Sequence, residues 1–114
     1  MAVNSTPRIH ESEAQSTRFP EYLFKPLLGP DSGTLGGCTC GILEYTQTEF
    51  IQGGVHEDQE VFYVLEGSGE ALVGEETFPL RKGDCFHVAP GKYHYIKRDE
   101  SCPSIKLFFF HAAI

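Results

Sequence analysis

The segment His56-Glu57-Asp58-Gln59-Glu60 sets an imidazole and a carboxylate four residues apart, and a further imidazole stands at His94. Two imidazoles and a carboxylate are donors for a divalent transition metal, provided their atoms converge to about 2.0–2.2 Å from one point. The run after Glu60, Val61-Phe62-Tyr63-Val64-Leu65, is β-branched and aromatic and favours strand over helix. In a continuous strand, residues four apart lie about 13 Å from each other, too far to share an ion. The chain must therefore reverse between His56 and Glu60, and Glu57, Asp58 and Gln59 are polar enough to make that turn. His56 then ends one strand and Glu60 begins the next. His94 follows the Pro90-Gly91 turn at the head of another apolar strand and is the third candidate ligand.

Alternation along strands extends this centre into a pocket. If His56 faces inward, Gly54, Gln52 and Phe50 share its face; Phe62 and Val64 turn inward from Glu60, and Ile96 from His94. The expected pocket is largely apolar around one polar centre. Isolated histidines are more often hydrogen-bonded structural residues than ligands, so His10, His87 and His111 read as structural. Glu57 and Asp58 read as a solvated turn. Tyr45, Tyr63, Tyr93 and Tyr95 read as packing residues. Lys92, Lys97, Arg98 and Arg81 read as solvent-facing charges, with Lys92 beside the expected mouth of the pocket, within reach of an anionic ligand.

The elements that position these residues are short strands. Apolar runs recur at Tyr22–Leu28, Leu35–Thr46, Phe50–His56, Glu60–Leu65, Glu70–Val73, Thr77–Leu80, Cys85–Ala89, Tyr93–Lys97 and Ile105–Phe110. Turn-forming Gly, Pro and Asp residues separate them, the pattern of an all-β sandwich or barrel with little helix. Tyr22–Leu28, interrupted by Pro26, reads as an edge strand. A length of 114 residues accommodates one domain. Residues 1–18 are polar and read as a flexible arm, and 19–114 as the barrel domain. Leu107-Phe108-Phe109-Phe110 is apolar at four successive positions, so both faces of that strand need covering, and a homodimer would cover the outer one.

Nine basic and sixteen acidic residues give a net charge of −7, which opposes binding to nucleic acid or an anionic membrane. No apolar run has the length of a membrane span and the first residues lack a signal-peptide core, so the expected location is cytoplasmic. Cys38, Cys40, Cys85 and Cys102 lack the spacing of common zinc folds, and packing is the expected role of Cys38 and Cys40.

At His56, Glu60 and His94 the sequence resembles the cupin superfamily. Its first motif is a Gly, five residues, His-x-His, three or four residues, Glu, six residues and Gly. Here His56, Glu60 and Gly67 match the second His, the Glu and the closing Gly. The second motif, a Gly, five residues, Pro-x-Gly, two residues and His, is matched by Gly83, Gly91 and His94. Thr48, Gly54 and Ala89 depart from the pattern. Only Gly54 alters the chemistry, because it stands where the first motif histidine would be. The resemblance implies a double-stranded β-helix, or jelly-roll, barrel holding one divalent metal ion through His56, Glu60 and His94; alternation leaves Gln52 or water to take the place of the missing ligand.

Two imidazoles and one carboxylate are also the facial-triad set of non-haem Fe(II) enzymes, which makes Fe(II) the preferred ion, while Zn, Mn and Ni also suit these donors. The resemblance thus implies a metal-dependent enzyme acting on a small polar molecule, with oxygenase chemistry leading and isomerase or lyase chemistry behind it. Two alternatives stand beside it: a cupin that binds a sugar or small acid without turnover, and a degenerate, metal-free cupin.

Overall fold

The computed structural model describes residues 6–50 and 52–112. Nine strands form two antiparallel sheets: β1 (Thr17–Arg18), β2 (Tyr22–Leu28), β3 (Thr39–Tyr45), β4 (Gln59–Glu66), β5 (Ser68–Val73), β6 (Glu76–Arg81), β7 (Cys85–Val88), β8 (His94–Arg98) and β9 (Ile105–Ala112). One sheet has the order β1-β2-β3-β9-β4-β7 and the other β6-β5-β8. Two short 3-10 turns, Glu11–Glu13 and Pro30–Ser32, complete the regular structure of the described residues. This is the expected all-β jelly-roll barrel.

Period-two alternation builds its core. On β4, Phe62 and Val64 are fully buried, and on β9 Ile105, Leu107 and Phe109 turn the same way. They meet Ala71 and Ile96 from the facing sheet. Burying a side chain the size of Phe62 contributes about 1.5–3 kcal/mol. The Phe62 ring stacks on Phe86 with centroids 4.9 Å apart.

Three departures from the sequence expectation bear on the site. The described residues of Phe50–His56 form no strand, and Ile51 lies outside them: Gly54 makes an isolated antiparallel bridge to His94, with both backbone hydrogen bonds 3.0 Å long. Beyond the bridge, the His56 carbonyl accepts from the Gly91 amide at 2.9 Å and side chains hold Phe50 and Gly53. The Phe50 ring packs 5.6 Å from that of Tyr95, with the Lys97 ammonium 4.5 Å above it. Second, β9 runs on past Phe110 to Ala112. Third, β2 is not an edge, because β1 pairs with it through Thr17↔Phe24 and Arg18↔Leu23. The expected arm thus includes a paired strand. It also includes Glu11, whose carboxylate bridges Lys25 at 3.2 Å and Lys106 at 2.8 Å.

Of the four apolar positions 107–110, the chain buries the inner two and leaves the outer two partly covered. β9 lies between β3 and β4 with Leu107 and Phe109 inside, while Phe108 and Phe110 point outward beside Tyr63 and Val61 of β4. Phe110 and Tyr63 are 37% and 44% exposed, so this outer face is only partly covered within one chain. No helix among the described residues is long and apolar enough to cross a membrane.

Candidate metal centre

Four segments deliver the site. Glu60 is the second residue of β4 and sits directly opposite His111 of β9 in the antiparallel ladder. His94 opens β8 in the other sheet, and its bridge to Gly54 draws the segment before β4 across the barrel end. Gly53 makes that approach feasible, because a Cβ there would collide with the His94 carbonyl oxygen and the Tyr93 ring. The Gly53 amide also donates to the Tyr93 hydroxyl at 2.7 Å. His56 follows, and a bend at Glu57 and Asp58 turns the chain back into β4, the reversal the spacing required.

The three imidazoles converge on the Glu60 carboxylate. His56 Nε2 lies 2.9 Å and His94 Nε2 3.3 Å from Oε1, while His111 Nε2 lies 3.2 Å from Oε2. Donor atoms of His56, Glu60 and His111 all lie within 4.8 Å of one another. The His56 ring centroid is 4.7 Å from that of His111 and 4.9 Å from that of His94. Glu60 and His94 are buried, whereas the side chains of His56 and His111 keep 26% and 21% exposure toward the cavity.

Each ring also has an outer partner that fixes its orientation. His56 Nδ1 donates to Asp58 Oδ1 at 2.8 Å, and His111 Nδ1 donates to Asp58 Oδ2 at 3.0 Å. One carboxylate therefore clasps two imidazoles. His94 Nδ1 donates to the Lys92 carbonyl oxygen at 3.2 Å. With Nδ1–H committed outward to groups that only accept, a neutral ring presents a bare lone pair at Nε2. Three such lone pairs facing an ionised carboxylate are all acceptors, so the cluster must contain positive charge, as imidazolium protons or as a metal ion. Neutral Nε2 donors, a carboxylate and oriented outer partners form a donor set that fits a divalent transition metal.

The electrostatics agree. Burial pushes the Glu60 carboxyl up, but hydrogen bonds and charge from His111 and His94 more than offset this and hold it at about 2. The hydrogen bond to Glu60 raises His111 above its ordinary value, against the opposing effect of burial. In chelator-treated protein these shifts predict a stability maximum at mildly acidic pH. The Glu60 contribution is present above the ordinary carboxyl value of 4.5 and is lost as pH falls toward 2. Its size is on the order of 3 kcal/mol. The His111 contribution is present below the ordinary imidazole value of 6.5 and is lost as pH rises through the raised value. Urea denaturation from pH 2 to 9 should therefore give a dome between those limits, and Glu60→Gln should remove its acid limb. Stability that rises monotonically with pH would contradict the coupling.

The cluster lines one part of a cavity of about 650 Å³, whose wall also includes residues 26–32. Of the residues expected to line it, Gln52, Gly54 and Phe62 do so alongside His56, Glu60 and His94. Phe50 packs against the core, and Val64 and Ile96 lie within it. The sequence reading missed His111 and Asp58. Alternation from Ile105 through Leu107 and Phe109 puts His111 on the inner face, but only if β9 extends beyond Phe110. Asp58 carried no signal beyond its place in a polar turn. The four cysteines are free thiols, two exposed and two partly buried.

A family profile described as the cupin domain matches residues 47–109. An uncharacterised protein of Methanocaldococcus jannaschii is 31% identical over 48 residues, which is 42% of this chain and 38% of that protein. Among solved structures, a predicted oxalate decarboxylase of Thermotoga maritima superposes with a TM-score of 0.79 at 16% identity, covering 93% of this chain and 98% of the other. FeII HppE also gives 0.79, at 14% identity over 95% of this chain and 61% of the other. The chain thus spans well under two thirds of the archaeal relative and somewhat under two thirds of FeII HppE. At such identities the structural likeness shows the fold.

Proposed function

Given that the chain belongs to the cupin family, we propose that it is a metal-dependent enzyme acting on a small molecule, with one divalent transition metal held by His56, Glu60, His94 and His111. The observation that carries this reading is the orientation of the imidazoles: three Nε2 atoms face one carboxylate while every Nδ1 is tied to an outer acceptor. His111 takes the fourth position that Gly54 leaves empty of a donor. Imidazole-rich sites suit Fe, Ni or Zn better than Mg or Ca, and Fe(II) is the ion we favour because a neighbour in fold is FeII HppE. Such an ion would polarise a bound oxygen atom and, as Fe(II), give access to dioxygen chemistry, so oxygenase activity leads.

The chain's own residues supply the rest. Glu60 brings the negative charge, Asp58 holds two rings in the ligating tautomer, and the cavity walls exclude water from one side of the centre. Four free thiols support a reducing, cytoplasmic location. The partly exposed face of Val61, Tyr63, Phe108 and Phe110 supports a homodimer, which sedimentation velocity on Phe110→Lys would test by the appearance of monomer.

Metal analysis after purification under anaerobic Fe(II) loading tests the centre directly. About one equivalent supports it, and less than about 0.1 equivalent of any transition metal defeats it. Asp58→Ala should keep the fold but lower metal affinity about 10- to 100-fold, since it frees two ligands at once to rotate. Competition with a chromophoric chelator reads that change, and an unaltered affinity would remove Asp58 from the site. Oxygen consumption in a substrate screen then separates turnover from binding alone.

A further inference from the structure

The cavity beside the cluster is walled by Phe24, Leu28, Leu43, Tyr45, Phe62 and Phe109. No lysine or arginine lines it among the described residues. Lys25 is turned to Glu11 outside the cavity, and Lys92, which the sequence placed near the mouth, lies beside Gly74 instead. The ionisable groups that line the space, apart from the three histidines, are Glu60, Glu21, Asp31, Cys40, Tyr22, Tyr45 and Tyr95. Burial raises Tyr22 and Tyr45 above their ordinary value, so they stay neutral.

Charge balance at the cluster sharpens the point. Glu60 and Asp58 contribute two carboxylates, which already match the charge of one divalent ion. No positive charge remains to receive an anion, and Glu21, Asp31 and a net charge of −7 oppose its entry. An anion bound there would give up hydration to add a further negative charge to a cluster that two carboxylates already neutralise. Aromatic and aliphatic walls instead reward apolar surface, and a space of about 650 Å³ is that of a site for a drug-sized molecule.

We infer that the natural ligand of this cavity is an uncharged, largely apolar ring compound that turns a single hydroxyl or carbonyl oxygen toward the His–Glu cluster. Small dicarboxylates such as oxalate, named for one neighbour in fold, are outside this class. The inference rests on the metal-centre reading for its charge balance, and it sets aside the small polar substrate expected from the sequence.

The test compares 2-naphthol with 2-naphthoate, which share a ring system and differ in charge at neutral pH, and adds oxalate as a third probe. Binding is followed by changes in the amide resonances of cavity residues, in Zn(II)-loaded and in chelator-treated protein, with metal content measured separately. Naphthol should bind at least tenfold more tightly than naphthoate in both forms, and oxalate should not bind. Leu28→Lys, which puts a cation on the wall, should narrow or reverse the preference, with thermal unfolding confirming that the variant is folded. Equal or tighter binding of naphthoate or oxalate by the Zn(II)-loaded wild type would overturn the inference, as would absence of naphthol binding up to its solubility. Should the protein retain no metal, the chelator-treated arm still decides the ligand class while the metal centre fails.

Discussion

His111→Ala is expected to lower metal affinity by at least about a hundredfold, beyond the loss of an outer partner such as Asp58, and Gly54→His in the same background to restore most of it. His111 faces Glu60 directly across the β4–β9 ladder, its Nε2 3.2 Å from the carboxylate and its Nδ1 held by Asp58. Removing it takes away a donor and loosens the Asp58 clasp. Gly54 occupies the position where the family pattern carries a histidine. Its backbone has no positive φ, a Cβ built there meets nothing within 4 Å, and it lines the same cavity. A histidine at that point has the room and the backbone to reach the centre.

Chelator competition on wild type, both single variants and the double variant forms a closed cycle, in which recovery in the double variant measures how far one histidine replaces the other. Retained affinity in His111→Ala, with loss only in His94→Ala, would return the site to the three-ligand set read from the sequence. Failure of the double variant to recover would mean that the β9 position does something the β4 approach cannot.

How far the sequence could carry this site depends on which residues report through local pattern. His56 and Glu60 were legible because a polar turn lies between them and a β-branched, aromatic run follows, so the reversal of the chain is a local requirement. The strands were legible for the same reason: period-two burial in β4 and β9 is written directly in Phe62-Val64 and Ile105-Leu107-Phe109. His111 was harder to find, since its role depends on where β9 ends. The aromatic run stops at Phe110, whereas the ladder continues because Glu60 and Gln59 of β4 are there to pair with it. That partner is about fifty residues away in the chain. Asp58 is harder still, because its two oxygens meet imidazoles from two segments that only the closed barrel brings together.

The expected strand Phe50–His56 failed for a related reason. Its composition suits a strand, but at Gly54 the backbone pairs with His94 by a single bridge, the His56 carbonyl accepts from the Gly91 amide, and Phe50 is held by aromatic packing. Alternation could not place Phe50 in the pocket once the strand was absent. Gln52 and Gly54 still line the cavity, through the approach to β8 rather than through a pleat. The substrate class was illegible in composition alone, because the excess of acidic residues does not say which of them face the cavity.

Gly53 and Gly54 are adjacent and chemically identical, and they should respond to substitution in opposite ways. Gly53→Ala is expected to cost about 1–3 kcal/mol, the usual range for forcing atoms into a filled space, and to lower metal affinity at least about tenfold through displacement of His56. The added methyl would overlap the His94 carbonyl oxygen, a backbone atom already accepting from the Gly54 amide, and the Tyr93 ring that receives the Gly53 amide. Neither neighbour can yield without moving a ligand-bearing segment: His94 belongs to β8, and the 53–56 stretch carries His56. Gly54→Ala has open space around its new methyl and should stay within about 0.5 kcal/mol of wild type. Tyr93→Phe separates the two effects at Gly53, because it removes the hydroxyl acceptor and leaves the close approach intact. It should therefore destabilise less than Gly53→Ala while reducing metal affinity only mildly. Urea denaturation and chelator competition on the three variants decide the matter: equal losses at Gly53 and Gly54 would mean that the bridge to His94 does not position the site.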